Sequence, residues 1–101
     1  MNSTKNTAMN DLVPSEFYLS QNYPNPFSEK TTIKFCVAYK TNVKLEVFNS
    51  EGKMIKKLLD EEKEAGTYEV DFDASGLPEG IYIYQLQAGD FLSRKKMLMM
   101  K

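Results

Sequence analysis

Apolar and polar residues alternate in short runs through most of the chain, and turn residues separate the runs. In the run 31–38, for example, Ile33, Phe35 and Val37 alternate with polar residues or cysteine. A period of two is typical of a strand that buries one face. The pattern predicts strands at 17–21, 31–38, 42–48, 54–62, 67–73, 81–88 and 91–100.

The run 54–62 is ambiguous, because its apolar residues also fit one face of a helix. They are Met54, Ile55, Leu58 and Leu59. The neighbouring segments are turns and strands, and on this context we predict a strand.

Short connections join several of the predicted strands. Tyr39, Lys40 and Thr41 predict a hairpin between the runs 31–38 and 42–48, and Gly89 and Asp90 predict another before the last run. About seven short strands with glycine turns predict an all-β, antiparallel sandwich. Its core is expected around Phe35, Leu45, Phe72, Tyr82 and Leu86.

Residues 21–27 interrupt the alternation with two prolines at alternate positions. Each proline removes a backbone donor, and Tyr23 and Asn25, which precede them, are biased towards extended backbone. The segment therefore predicts a stiff connector. It is either a structural corner on which Tyr23 or Phe27 packs, or an exposed epitope for a receptor or protease.

Residues 1–16 are polar and show no sustained period, which predicts a flexible linker or a leader added for expression. The folded domain is expected to span 17–101. Asn2, Ser3 and Thr4 match a glycosylation sequon, for which we favour chance occurrence in a polar tail.

The composition limits the kinds of catalytic and metal site that the chain can form. The 101 residues include no histidine and one cysteine, Cys36, so the fold has no intramolecular disulfide and no serine–histidine triad. Asp71 and Asp73 share one face and could bind calcium, but no EF-hand spacing supports this. We expect no enzyme activity, no cofactor and no metal site.

Charge is uneven although the net charge is −1. A net charge close to zero gives no reason to expect nucleic-acid binding. No apolar run is long enough to span a membrane. Residues 91–101 nevertheless carry only positive charge, from Arg94, Lys95, Lys96 and Lys101. This end is either an edge strand protected by lysines or a recognition strand. Its apolar end, 97–100, could pair with a second copy and form a homodimer.

An ordered set of motifs runs through residues 17–101. It starts with LSQNYPNPF at 19–27 and TTI at 31–33, and continues with VFN at 47–49 and EGK at 51–53. It ends with AG at 65–66, DASGL at 73–77, GIYIYQL at 80–86 and KMLMMK at 96–101. In this order, the motifs resemble the type A C-terminal sorting domain of the type IX secretion system of Bacteroidetes.

The resemblance implies an immunoglobulin-like sandwich of seven strands and a non-catalytic secretion signal. Such a domain directs a cargo fused to its N-terminus from the periplasm across the outer membrane, to the cell surface or beyond. The implied partners are the outer-membrane type IX machinery and a sortase-like peptidase, which cuts in the linker ahead of the domain.

Recognition is expected at the proline segment and the basic end, and glycines with one tyrosine are expected to shape the fold. The recognition residues are Gln21, Asn22, Tyr23, Pro24, Asn25, Pro26, Phe27, Lys95, Lys96 and Lys101; the shaping residues are Gly76, Gly80 and Tyr82.

Two other functions stay open at this point. The domain could bind carbohydrate or a partner protein, with Tyr82 and Tyr84 as a stacking platform, although core packing is favoured for both tyrosines. It could also be a structural spacer.

Overall fold

The computed structural model describes residues 14–101, and seven strands in two antiparallel sheets make up this part of the chain. The strands are β1 Tyr18–Leu19, β2 Lys30–Val37, β3 Thr41–Asn49, β4 Met54–Lys63, β5 Gly66–Asp73, β6 Gly80–Ala88 and β7 Phe91–Met99. One sheet has the order β1–β2–β5, and the other has the order β4–β3–β6–β7. The all-β, seven-strand prediction is confirmed. The described residues include no apolar helix of membrane-spanning length.

The hairpin predicted at Tyr39, Lys40 and Thr41 is wrong. β2 pairs with β1 and β5, whereas β3 pairs with β4 and β6, so this connection carries the chain from one sheet to the other. Both strands bury alternate residues between the sheets. This alternation shows which face of a strand is buried but not which strand lies beside it, so it does not distinguish a hairpin from a connection between sheets. The predicted hairpin between β6 and β7 is confirmed, because Ala88 pairs with Phe91.

The core lies between the two sheets and is built from the inward residues of the alternating runs. All five predicted core residues, Phe35, Leu45, Phe72, Tyr82 and Leu86, are buried. Tyr84 is buried with them, so the reading of Tyr82 and Tyr84 as core residues is confirmed and neither forms an exposed platform. The inward side chains of both sheets form this core together, as in other β-sandwiches.

The ambiguous run 54–62 is a strand, as predicted from context. β4 pairs with β3 through two irregularities in register, at which Leu58 and Ile55 have no opposite residue. A bulge adds one residue to a strand and changes which side the following residues face. The helix-like spacing of the apolar residues follows from these bulges, because Leu58 and the adjacent Leu59 both pack against the core.

Tyr84 joins the two sheets through its hydroxyl group. Its Oη donates to the backbone oxygen of Ser20 at 2.6 Å, just beyond the end of β1. Burial raises the pKa of Tyr84 to about 12, because the core disfavours the phenolate.

We expect this tyrosine to make the domain less stable at high pH. Between about pH 10 and pH 12 the unfolded chain loses the Tyr84 proton while the folded chain keeps it, so the free energy of unfolding falls. Urea unfolding at pH 9 and pH 11.5 measures the loss. Tyr84→Phe should show a smaller difference between the two pH values than wild type, and Tyr39→Phe, which removes the hydroxyl of a tyrosine that is 57% exposed, should match wild type. Equal losses in wild type and Tyr84→Phe would contradict this assignment.

Candidate functional site

The proline segment, residues 21–27, lies along the outer edge of β7. The Phe27 N–H donates to the oxygen of Leu98 at 3.0 Å, and the Met100 N–H donates to the oxygen of Phe27 at 2.8 Å. Asn25 extends this pairing with its side chain, because its Oδ1 accepts from the Leu98 N–H at 2.9 Å. Two segments that are far apart in sequence therefore form one surface.

The other end of the proline segment belongs to the three-stranded sheet. Tyr23 and Thr32 exchange two backbone hydrogen bonds, of 3.0 and 2.9 Å. Gln21 reaches back to β7, where its Nε2 donates to the oxygen of Lys96 at 2.6 Å. The segment thus runs from one sheet to the other and closes one side of the sandwich.

Asn22 holds the bend of the segment from inside. Its side chain is buried, and its Nδ2 donates to the oxygen of Pro24 at 3.1 Å and to Thr31 Oγ1 at 2.9 Å. Thr31 in turn donates from Oγ1 to the Pro24 oxygen at 2.8 Å, and Gln21 Nε2 donates to Asn22 Oδ1 at 2.8 Å. Buried polar groups are retained where their hydrogen bonds are complete, and this network meets that condition.

Asn22→Ala should lower the free energy of unfolding by about 1–3 kcal/mol, because it removes the amide that donates to Thr31 Oγ1, which is buried. The change is measured by urea unfolding. Asn42→Ala is a suitable control, since Asn42 is an exposed asparagine on β3, and it should have little effect. Equal stabilities of the two variants would show that the network is not required.

The two interpretations of the proline segment apply to different residues. Phe27 is the aromatic residue that packs on the sandwich, since it is 3% exposed, whereas Tyr23 is 80% exposed. Pro24 and Pro26 follow cis peptide bonds and are exposed. Phe27 therefore supports the structural corner, and Tyr23 with the prolines forms its outward surface.

The basic residues predicted for recognition lie on or beyond β7, an edge strand of its sheet. Lys96 and Lys101 are exposed and Lys95 is half-buried. None of the ion pairs within residues 14–101 involves these lysines or Arg94. The proline segment covers the edge near Leu98, and self-association through the rest of the edge stays a prediction.

The three residues expected to shape the fold lie around the turn before β6. Gly76 and Gly80 have φ angles of +86° and +146°, which residues with a side chain rarely adopt. Tyr82 is buried, and its Oη donates to the oxygen of Pro78 at 2.6 Å. The turn is thereby tied to the strand that follows it.

The acidic residues of β5 serve local structure. Asp71 accepts from Thr32 Oγ1 at 2.8 Å. Ser75 donates to Asp73 from Oγ at 2.6 Å and from its backbone N–H at 2.9 Å, and these hydrogen bonds lower the pKa of the Asp73 carboxyl. Within residues 14–101 no group of three histidine, cysteine or acidic side chains could hold a metal ion. The calcium alternative for Asp71 and Asp73 therefore gains no support.

Sequence reasoning missed two surface features. One is a shallow groove of about 450 Å³ beside Tyr23, lined also by Gln21, Thr32, Lys34 and Glu69. The other is a group of apolar side chains on the outer face of the four-stranded sheet, around Ile81 and Ile83. The sequence carried a signal for the second, because Ile81 and Ile83 stand at outward positions of β6. Apolar residues on both faces are also typical of a central strand, and β6 does lie in the interior of its sheet.

Two comparisons with known proteins find similarities to this chain, one in sequence and one in fold. Residues 21–100 match the family model described as the secretion system C-terminal sorting domain. The fold is similar to part of the crystal structure of dimeric latent PorU from Porphyromonas gingivalis, with a TM-score of 0.63 and 17% sequence identity. That match covers 85% of this chain and 10% of that chain. A search of curated proteins finds no match.

Proposed function

Because the chain belongs to the type IX secretion C-terminal sorting domain family, we propose that it directs a cargo protein, fused to its N-terminus, across the outer membrane. Membership of the family implies export through the secretion system, to the cell surface or the extracellular space. The cargo would arrive from the periplasm, and the outer-membrane machinery would bind the folded domain.

One structural observation supports the proposal independently of family membership. The proline segment and the end of β7, which were proposed separately for recognition, are hydrogen-bonded to each other through Phe27, Asn25 and Leu98. We call residues 21–27 together with 95–101 the composite edge. A receptor that contacts one part of it can contact the other, so a single docking event can read both ends of the domain.

The composite edge offers chemistry that suits binding to a protein. Tyr23 supplies a large exposed ring with a hydroxyl, the kind of side chain that is enriched at protein interfaces. Pro24 and Pro26 restrict the backbone, so little conformational entropy is lost when they are bound. Lys96 and Lys101 add positive charge that would attract an acidic partner. Export itself would be performed by the machinery.

Removal of the domain by a sortase-like peptidase is the second part of the proposal. Phe17 packs against Tyr39 and Phe91, with ring centroids 4.9 and 5.6 Å apart, and β1 starts immediately afterwards. A peptidase requires extended, accessible chain. Cleavage is therefore expected in the linker proposed at 1–16, most of which lies outside the described residues.

A fusion of residues 1–101 to a periplasmic reporter, expressed in a Bacteroidetes host, tests the function. The reporter should leave the periplasm. Tyr23→Ala should reduce its export, and Tyr18→Ala should not, since Tyr18 is an exposed tyrosine on β1 that does not belong to the composite edge. Retention of the intact wild-type fusion in the periplasm would overturn the proposal.

A further inference from the structure

The outer face of the four-stranded sheet carries apolar residues at one corner, where a solvated sheet face is normally polar. The register places Phe48 beside Met54 on one side and Ile83 on the other, and it places Ile81 beside Leu98. With Met100, these six side chains form what we call the apolar corner.

The apolar corner is accessible. Met54, Ile81 and Met100 are 47%, 47% and 52% exposed, and the other three members are half-buried. A shallow depression lined by Phe48, Ile83 and Arg94 adjoins them. Contiguous exposed apolar groups bordered by polar residues mark interaction sites more often than scattered ones do.

Positive charge borders this corner along β7. Lys96 stands opposite Ile83 in register, and Arg94 lies further along the same face of the strand. Neither takes part in an ion pair within the described part of the chain. Cations that are not neutralised locally attract a partner with carboxylates at the matching positions.

The apolar corner is continuous with the composite edge. Leu98 contributes its side chain to the corner, while its backbone N–H and oxygen bind Asn25 and Phe27. A partner that binds the apolar corner could therefore contact the neighbouring proline segment in the same interface.

We propose that the apolar corner docks a protein surface of the export machinery whose apolar side chains are bordered by carboxylates. This proposal rests on the proposed function and names the surface and the chemistry that would carry it. Binding would bury Ile81, Met54 and Met100 and pair Lys96 with a carboxylate.

A second copy of the chain is a poorer occupant of the corner. In a two-fold dimer each surface meets the same surface of its partner. The border of each corner along β7 is basic, so a second copy would bring Arg94 and Lys96, and no carboxylate from that border, to the interface, where like charges oppose binding.

The test uses the full-length reporter fusion with one substitution in the corner. Ile81→Glu places a carboxylate at the centre of the apolar contact and should lower export about tenfold or more. Leu92→Glu is the matched control, since Leu92 is 56% exposed on the same face at the opposite end of β7, and its export should equal wild type. Thermal unfolding of both domains should show that each is folded. Lys96→Glu should lower export as well.

The outcomes separate this proposal from the proposed function. If the wild-type fusion is not exported, the proposed function itself fails. If wild type is exported and Ile81→Glu is exported equally, or if Leu92→Glu fails to the same extent, the apolar corner is not the docking site. Sedimentation of the purified chain addresses the second copy: a wild-type dimer that Ile81→Glu dissociates would overturn the proposal.

Discussion

Phe27→Ala is expected to lower the free energy of unfolding by about 3–5 kcal/mol, whereas Tyr23→Ala should change it by less than about 0.5 kcal/mol. Phe27 is 3% exposed, and its ring lies 6.3 Å from that of Phe72 in an edge-to-face arrangement. Its removal leaves a cavity between the sheets. Tyr23 is 80% exposed and contributes to the fold through its backbone, which alanine retains.

Urea unfolding of the two variants, combined with export of the two fusions, separates structure from recognition. Both variants should be exported poorly: Phe27→Ala because part of the population is unfolded, and Tyr23→Ala although its domain is fully folded. A domain of this size has a total stability of about 5–15 kcal/mol, so the effect of Phe27→Ala is easily measured. A stable Phe27→Ala or an unstable Tyr23→Ala would contradict the division of roles within the proline segment.

Truncation after Met97 is expected to be the most damaging change. It removes Met99, which is fully buried, together with the backbone groups of Leu98 and Met100 that bind Asn25 and Phe27. Loss of a buried methionine costs about 2–5 kcal/mol, and each unpaired buried backbone group adds about 1–3 kcal/mol. The sum is comparable with the whole stability of the domain.

Hydrogen exchange is the sharpest measurement for the truncated chain. The Phe27 amide, which donates to Leu98 in the intact domain, should lose its protection, and the unfolding transition should broaden or disappear. Deletion of Lys101 alone is the control, because it removes one exposed hydrogen bond, to Glu79, and should leave the melting temperature nearly unchanged. A cooperative, stable fold in the chain 1–97 would show that β7 can do without its last residues.

The pairing of the two segments has a consequence for a secretion signal. The proline segment adopts its position only when the last residues of the domain are folded beside it, because Leu98 and Met100 supply its hydrogen-bond partners. A truncated or unfolded domain would not present the composite edge. A signal of this kind would therefore report that the whole domain has folded.

Much of the fold could be predicted from alternation. The period of two located the strands and the five central core residues, because inward and outward positions follow from the geometry of a single strand. The run 54–62 was harder, because its bulges produce the apolar spacing of a helix. The supposed hairpin at Tyr39, Lys40 and Thr41 failed for a related reason, since a short connection can turn back within one sheet or cross to the other.

The sequence indicated the separate parts of the candidate site but not how these parts are arranged. Proline chemistry and charge drew attention to residues 21–27 and 95–101, but nothing local indicated that Asn22 is buried, that Phe27 and not Tyr23 enters the core, or that Ile81 is exposed beside Leu98. These facts depend on which strands become neighbours.

Alternation and turn residues predicted the strands, their buried faces and the position of the proline segment, and the ordered motifs indicated the family. The pairing of the strands, the division of the proline segment into a buried anchor and an exposed surface, and its contact with the end of β7 became visible in the folded domain. The physical reason is the range of the interactions. Alternation and proline restriction act between neighbouring residues, whereas the hydrogen bond between Asn25 and Leu98 joins positions 73 residues apart and forms only when both sheets are in place.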